Sequence, residues 1–252
     1  MRFVKYFIRC SLVWFGVVTL FSALSCSSSE ENVPAATRAA IQGSVNLYDE
    51  GTVALDRANM TVRVEGSNPV ISSTTNAAGQ FVLNDVPFGT YTLTFEKSGY
   101  GTYKKIGLVH QTNGEATVLT NTPSLGQLST TTITDVVPSV TGNTVLLTIT
   151  TNPGGNTSNR RYLRYFLSTN NGVSATNYSY YSPIYTAQIN PFVKTLTQTE
   201  LQNAGFTSGQ VVYVRVYGES FWDNAYDQPE LNRRIFPNLN STTVAATSFI
   251  VP

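Results

Sequence analysis

Apolar and polar residues alternate along most of the chain beyond residue 40, with the two-residue period of a β-strand. Clear examples are residues 60–64, 145–149 and 212–216, in which every second side chain is apolar. Turn-forming stretches separate these runs, among them Asn76-Ala-Ala-Gly79 and Asn152-Pro-Gly-Gly-Asn156. Roughly 227 residues follow residue 25, which is enough for two domains of ordinary size. The pattern predicts an all-β protein with two tandem β-sandwich domains, at residues 39–123 and 124–252.

The first 25 residues have the layout of a secretory signal peptide. An apolar run from Cys10 to about Leu24 follows three basic residues, Arg2, Lys5 and Arg9. This run is shorter than the ~20 apolar residues that a membrane-spanning helix needs. Ala23-Leu24-Ser25-Cys26 resembles the lipobox of bacterial lipoproteins, in which the cysteine takes a diacylglycerol and becomes an acylated N-terminus. The resemblance implies that Cys26 is lipidated and anchors the protein to a membrane; the alternative is ordinary cleavage after Ser25, which leaves a free thiol.

Residues 26–38 are interpreted as the lipidated cysteine and a flexible tether. Residues 27–32, Ser-Ser-Ser-Glu-Glu-Asn, have no periodicity and little apolar content, which is typical of a solvated segment. A serine-plus-acidic run directly after the cysteine also resembles the surface-export signal of some Gram-negative lipoproteins, and a plain spacer would have the same composition. We therefore expect an outer-membrane lipoprotein that faces the cell exterior.

Glycines and aromatic residues recur at fixed spacing in the first predicted domain. The pattern is Gly43-x-Val45, then Asn76-x-x-Gly79-x-Phe81-x-Leu83-x-x-Val86-Pro87-x-Gly89-x-Tyr91-x-Leu93, then Gly99-Tyr100. It resembles the carboxypeptidase regulatory-like domain, a small transthyretin-like β-sandwich. The resemblance implies that Gly79 and Gly89 lie in turns, that Phe81, Tyr91 and Leu93 pack in the core, and that none of them is catalytic. Some relatives bind carbohydrate and others act as spacers, so the resemblance permits glycan binding.

The second predicted domain, residues 124–252, resembles a fibronectin type III or immunoglobulin-like sandwich. Gly205-Phe206-x-x-Gly209-x-Val211-Val212-Tyr213 is similar to the approach to the penultimate strand of that family. The domain is longer than the ~100 residues typical of such sandwiches by roughly 25–30 residues. The excess falls mainly in two segments, which are therefore the candidates for function.

The longer of these segments, residues 218–240, combines aromatic, acidic, amide and basic side chains. A sugar ring can stack on an aromatic side chain while fixed donors and acceptors hold its hydroxyl groups. We therefore predict a ligand site formed by Phe221, Trp222, Asp223, Asn224, Tyr226, Asp227 and Arg233. The alternative is that these aromatic side chains cover a sheet or pack between the two domains. The shorter segment is a weaker candidate and contains Tyr178, Tyr180, Tyr181 and Tyr185.

Composition excludes several classes of function. Without Arg2, Lys5 and Arg9, the 16 Lys and Arg residues become 13, against 15 Asp and Glu. This balance offers no basic surface for nucleic acid. A single histidine, His110, and no cysteine beyond Cys26 after the leader cannot supply a zinc site. No phosphate loop or dinucleotide motif occurs, and we expect no cofactor and no bound metal.

The sequence therefore predicts a non-catalytic surface lipoprotein that binds or adheres to a glycan or a surface protein. One alternative is a structural accessory subunit of an outer-membrane assembly. A remote alternative is a glycoside hydrolase with a carboxylate pair drawn from Asp223, Asp227 and Glu230. Calcium bound by Asp223, Asn224 and Asp227 is a further possibility, since its ligands are oxygen atoms.

Overall fold

The computed structural model describes residues 36–111 and 115–252. These residues belong to one compact unit, Ala35–Pro252. They form nineteen strands, one α-helix and one short 3-10 helix, which confirms the predicted all-β class. The predicted signal peptide, Cys26 and the first part of the tether lie outside the described residues. Within the described part of the chain, no helix has both the length and the apolar character needed to cross a membrane.

The first sandwich packs two sheets around one apolar core. Its strands are β1 (Arg38–Ser44), β2 (Asn46–Tyr48), β3 (Thr61–Val64), β4 (Ser72–Thr74), β5 (Gln80–Pro87), β6 (Gly89–Glu96), β7 (Tyr103–His110), β8 (Thr117–Val118) and β9 (Ser124–Gly126). One sheet has the order β5-β1-β8 and the other β4-β3-β6-β7, while β2 pairs with β9 in parallel. Phe81, Leu83 and Val86 of β5 point inward, so Phe81 and Leu83 are buried in the core as predicted.

Two residues that the sequence singled out have structural roles in this sandwich. Gly79 has φ +80°, and a Cβ placed there would lie 2.3 Å from the Val45 carbonyl oxygen, so the turn requires glycine. His110 is fully buried. Its Nε2 donates to the Val86 carbonyl at 3.1 Å, and its Nδ1 is hydrogen-bonded to Thr117 Oγ1 at 2.7 Å. The imidazole therefore connects β7, β5 and β8 within the core.

The second sandwich also packs two sheets face to face. Its elements are β10 (Thr132–Thr141), β11 (Thr144–Asn152), β12 (Arg161–Ser168), β13 (Tyr180–Tyr181), β14 (Tyr185–Ala187), β15 (Phe192–Thr197), α1 (Gln198–Asn203), β16 (Val211–Glu219) and β19 (Thr247–Ile250). One sheet has the order β10-β11-β15, and the other has the order β13-β12-β16-β19 with β14 also paired to β12. Valine and leucine side chains from both inner faces form the core. A capping box between Thr197 and Glu200 begins helix α1.

The sheet that contains β12 and β16 is covered on its outer face as well. We call residues 220–246 the covering segment; it includes β17 (Tyr226–Gln228), a 3-10 turn (Pro229–Leu231) and β18 (Arg233–Ile235). Phe236 of this segment packs on Phe166 of β12, with ring centroids 5.3 Å apart. All eight residues of β12 are consequently buried. The predicted long loop therefore mainly covers a sheet. The sequence had left this open as the alternative to ligand binding for its aromatic residues.

Candidate functional site

The structure separates the seven predicted ligand residues into three groups. Three of these residues lie where the covering segment meets the first sandwich: Phe221, Trp222 and Asn224. Asp223 lies beside Arg164 of β12. Tyr226 lies on β17, which packs against β7 of the first sandwich. Asp227 and Arg233 lie on the outer surface of the covering segment.

Asn224 and Asn238 join the two sandwiches through their side-chain amides. Asn224 Oδ1 accepts from the Gly126 amide at 2.8 Å, and its Nδ2 donates to the Gly101 and Gly126 carbonyls at 2.9 and 3.0 Å. Asn238 Oδ1 accepts from the Gly101 amide at 2.9 Å, and its Nδ2 donates to the Gly126 carbonyl at 3.0 Å and to the Trp222 carbonyl at 2.7 Å. A Cβ at Gly126 would lie 2.5 Å from that same carbonyl oxygen, which explains the glycine. Because Asn224 is only 4% exposed and its amide is fully engaged, we place it outside the ligand site.

Trp222 stacks on Tyr48 of the first sandwich, with ring centroids 5.0 Å apart and an interplanar angle of 29°. Phe221 meets the Trp222 ring edge-on at 5.1 Å and is 41% exposed. Glu50 reinforces this contact: its carbonyl accepts from the Phe221 amide at 2.9 Å, and its carboxylate pairs with Arg161 at 2.8 Å. These contacts make the region an interdomain junction. A ligand role for Phe221 and Trp222 stays a prediction.

Asp223 belongs to an ion network beneath the covering segment. Arg164 of β12 pairs with Asp223 at 2.7 Å and with Glu219 of β16 at 3.1 Å, and it also donates to the Ser182 carbonyl. The Arg164 guanidinium lies 4.4 Å from the centre of the Phe236 ring. Burial raises the pKa of Glu219 to about 8, although the neighbouring Arg164 opposes this shift. Since Glu219 has no exposed surface, we assign this network to structure.

A surface cleft combines the two segments that the sequence marked as candidates. It has a volume of about 420 Å³ and lies between the start of the tyrosine segment and the outer edge of the covering segment. We call it the tyrosine–arginine cleft and define it by Tyr178, Tyr181, Asp227, Arg233 and Arg234. Gln228 and Asn232 also line it, and the sequence did not identify them. Asp227 and Arg233, which the sequence did identify, are their neighbours along the chain and were the only indication of their position.

The side chains of the cleft support one another. Tyr178 Oη donates to the Arg234 carbonyl at 2.9 Å, and the Arg233 guanidinium lies 5.4 Å from the centre of the Tyr178 ring. Arg234 pairs with Asp227 at 3.1 Å. Tyr181 is 37% exposed, and its ring is backed edge-on by Phe236 at 5.0 Å. The cleft therefore presents a supported aromatic ring beside charged and amide groups.

The other two candidate tyrosines do not reach this cleft. Tyr185 stacks on Tyr165 with ring centroids 5.8 Å apart and an interplanar angle of 7°. Tyr180 lies beside the same Tyr165 ring at 6.3 Å. Both therefore pack against the core side of β12, because alternate residues of a strand point to opposite faces.

Neither carboxylate proposed for calcium is free in this arrangement. Asp223 is paired with Arg164 and Asp227 with Arg234. Across residues 36–111 and 115–252, no group of three or more histidine, cysteine, aspartate and glutamate side chains could hold a metal ion.

Comparison with known proteins identifies the first sandwich. Residues 40–123 match the model of the carboxypeptidase regulatory-like domain family, which confirms that prediction. No curated protein matches the chain.

Solved structures resemble the chain at greater distance. A candidate carbohydrate-binding protein from Bacteroides uniformis shares 14% identity at a TM-score of 0.30, over 84% of this chain and 98% of that chain. A DUF3823 family protein from the same species shares 15% identity at a TM-score of 0.28, over 85% of this chain and 100% of that chain. Another, from Parabacteroides merdae, shares 17% identity at a TM-score of 0.24, over 73% of this chain and 91% of that chain.

Proposed function

We propose that this protein is a non-catalytic surface-binding module that takes a glycan in the tyrosine–arginine cleft. The observation that carries the proposal is the position of Tyr181, an exposed and internally supported aromatic ring beside Asp227, Gln228, Asn232 and Arg233. An aromatic ring offers a flat apolar surface to the C–H face of a sugar. Amide, carboxylate and guanidinium groups supply fixed acceptors and donors for the hydroxyls. A volume of about 420 Å³ is within the range of small-ligand sites.

The membrane anchor is part of the same proposal. Lipidation of Cys26 would attach the binding module to the outer membrane, and the serine-plus-acidic run after it supports display to the exterior. Replacing Cys26 by serine should move the protein from the membrane fraction to the soluble fraction. Retention of the variant in membranes would contradict the anchor.

The fibronectin type III resemblance of the second sandwich also stays a proposal. It is supported by the strand order: a sheet of β10, β11 and β15 faces a sheet built on β12, β16 and β19.

The glycan proposal is tested by an array screen followed by titration calorimetry on protein that begins at Ser27. Tyr181→Ala should abolish binding of any glycan that the parent binds, because it removes the stacking surface. Phe221→Ala is the matched control, since Phe221 is a similarly exposed aromatic residue, 41% against 37%, that lies at the interdomain junction and not in the cleft. Retained binding in Tyr181→Ala, with loss in Phe221→Ala, would move the site to the junction. No binding of any glycan by the parent would favour the accessory-subunit alternative.

A further inference from the structure

The tyrosine–arginine cleft contains a cation that no acidic side chain neutralises. None of the ion pairs among residues 36–111 and 115–252 includes Arg233. Its guanidinium lies over the ring of Tyr178, with the guanidinium carbon 5.4 Å from the ring centre. Arg234, the next residue, is by contrast paired with Asp227 at 3.1 Å. The two adjacent arginines therefore differ in what they can offer to a ligand.

The charges that line the cleft sum to one positive charge. Arg233 and Arg234 contribute two cations, and Asp227 contributes one anion. The pairing of Asp227 with Arg234 leaves Arg233 as the uncompensated group. Glu230 stands beside the lining, where its carboxylate accepts a hydrogen bond from Gln228 Nε2. The remaining polar lining, Gln228 and Asn232, is neutral.

The contact with Tyr178 also prepares Arg233 to bind an anion. A guanidinium that stacks on an aromatic ring keeps the N–H donors at its edge available, and these donors match two oxygens of a carboxylate or sulfate. Tyr178 itself is fixed by its hydrogen bond to the Arg234 carbonyl. Because the ring restrains the side chain beforehand, less rotamer entropy is lost when a ligand binds.

Tyr181 lies next to the same pair. Its ring meets the Tyr178 ring edge-on, with centroids 5.6 Å apart. Tyr178 thus touches both the stacking surface and the free cation, so one ligand can contact both.

We infer that the ligand is an acidic glycan: a sugar ring packs on Tyr181 while its carboxylate or sulfate group pairs with Arg233. This inference rests on the proposed function and adds the chemical class of the ligand. Carboxylate and sulfate groups share the required chemistry, because each offers two anionic oxygens that can accept hydrogen bonds from one guanidinium. The experiment distinguishes these two anionic groups by testing a carboxylated and a sulfated oligosaccharide separately.

The experiment titrates protein that begins at Ser27 with three oligosaccharides of equal length: an oligogalacturonate, a sulfated galactan fragment and the neutral galactan fragment. The parent should bind one of the acidic probes at least tenfold more tightly than the neutral one. Its affinity should fall as salt is raised, because the contact is between charges. Which acidic probe binds more tightly identifies the anionic group.

Variants of Arg233 locate the effect. Arg233→Gln should lower affinity for the acidic probe about tenfold and erase the preference over the neutral probe, since it removes the charge but keeps a hydrogen-bonding amide. Arg233→Lys should retain part of the preference, because it keeps the charge without the planar fork. Arg57→Gln, which removes an exposed positive charge from the first sandwich, should bind like the parent.

Two results would overturn the inference. They differ in whether the proposed glycan site is refuted as well. Equal binding of neutral and acidic probes, lost in Tyr181→Ala but unchanged in Arg233→Gln, would refute the acidic ligand and keep the glycan site. Absence of binding to all three probes and to the glycan array would refute both.

Discussion

Arg164 and the two carboxylates that share it show how one buried side chain can organise the outer face of a sheet. Arg164 lies among apolar and aromatic residues in the middle of β12, and it is buried by the covering segment. Burying charge is costly unless it is paired and hydrogen-bonded. Asp223 supplies the opposite charge, and Glu219 and the Ser182 carbonyl accept further hydrogen bonds from the guanidinium. The network thereby ties the covering segment to the sheet beneath it.

Glu219 should make stability depend on pH in a direction opposite to that of most carboxylates. Burial raises its pKa to about 8 in the folded protein, so the folded state holds a proton that the unfolded state has lost. The contribution of Glu219 to the free energy of unfolding should therefore be largest below its ordinary pKa of 4.5 and should be lost as the pH rises towards about 8. Urea unfolding at several pH values measures this pH dependence.

Glu219→Gln is the variant that isolates the effect, because glutamine keeps the shape of the protonated acid and cannot ionise. Its stability should show a flatter slope than the parent between about pH 5 and 8. Glu96→Gln, which changes a partly exposed carboxylate paired with Arg63, should leave the slope as it is. Parallel slopes for the parent and Glu219→Gln would show that Glu219 is already ionised in the folded protein.

Single residues of the site were the hardest feature to predict from sequence. Asn224 was expected to hold ligand hydroxyls, yet its amide binds the backbone of Gly101 and Gly126, which precede it by 123 and 98 residues. Local pattern carries no information about contacts at such separations. Asp227 and Arg233 do line a cleft, because they lie on the outward side of the covering segment. The sequence predicted this segment only as a long loop, so it could not indicate which side chains point outward.

The strands, in contrast, were predictable from alternation. Residues 145–149 and 212–216 lie within β11 and β16, and their alternate valine, leucine and isoleucine residues are buried. The covering segment was less predictable, because its short strands of three residues have no visible period. Only its length and aromatic content marked it as unusual, and both are typical of a segment that covers a sheet as well as of a binding loop.

Phe236 should be the anchor of the covering segment. Its ring contacts Phe166 at 5.3 Å, Tyr181 at 5.0 Å and the Arg164 guanidinium at 4.4 Å. Phe236→Ala should lower the free energy of unfolding by about 3–5 kcal/mol, since it leaves a cavity between the segment and the sheet. Glycan affinity should fall as well, because Tyr181 loses the ring that supports it. Chemical denaturation and the calorimetric titration described above measure the two effects.

Phe221→Ala provides the comparison within the same segment. Phe221 is 41% exposed, so its truncation should cost about 1 kcal/mol or less. Equal losses for the two variants would mean that Phe236 is not the anchor.

At the scale of the whole molecule, the two sandwiches share hydrogen bonds instead of being joined by a bare linker. Three kinds of contact cross the junction: the amide hydrogen bonds of Asn224 and Asn238 to the first sandwich, the Trp222–Tyr48 stack and the Glu50–Arg161 ion pair. The sequence indicated two units and left interdomain packing open as the alternative to ligand binding. The junction uses residues from both ends of the covering segment, so this segment couples the first sandwich to the cleft.

The junction should make residues 36–252 unfold as one cooperative unit. In calorimetry, the parent should show a single transition whose calorimetric and van't Hoff enthalpies agree. Asn224→Ala should lower the free energy of unfolding by about 2–4 kcal/mol, because the Gly126 amide and the Gly101 carbonyl lose their Asn224 partner in a buried place, while the Gly126 carbonyl keeps its bond from Asn238. The midpoint should fall by roughly 5–10 °C, with a low-temperature shoulder where the sandwiches separate.

Asn232→Ala is the matched control for that loss. Asn232 has a left-handed backbone like that of Asn224, with φ of +46° against +51°, but it is exposed. Both variants therefore replace asparagine by alanine in a conformation that alanine adopts at a cost of about 1–2 kcal/mol or less. Only Asn224→Ala also removes the junction bonds, so its midpoint should fall further and its transition should broaden. Equal shifts for the two variants would assign the cost to backbone strain and would show that the Asn224 amide does not stabilise the junction.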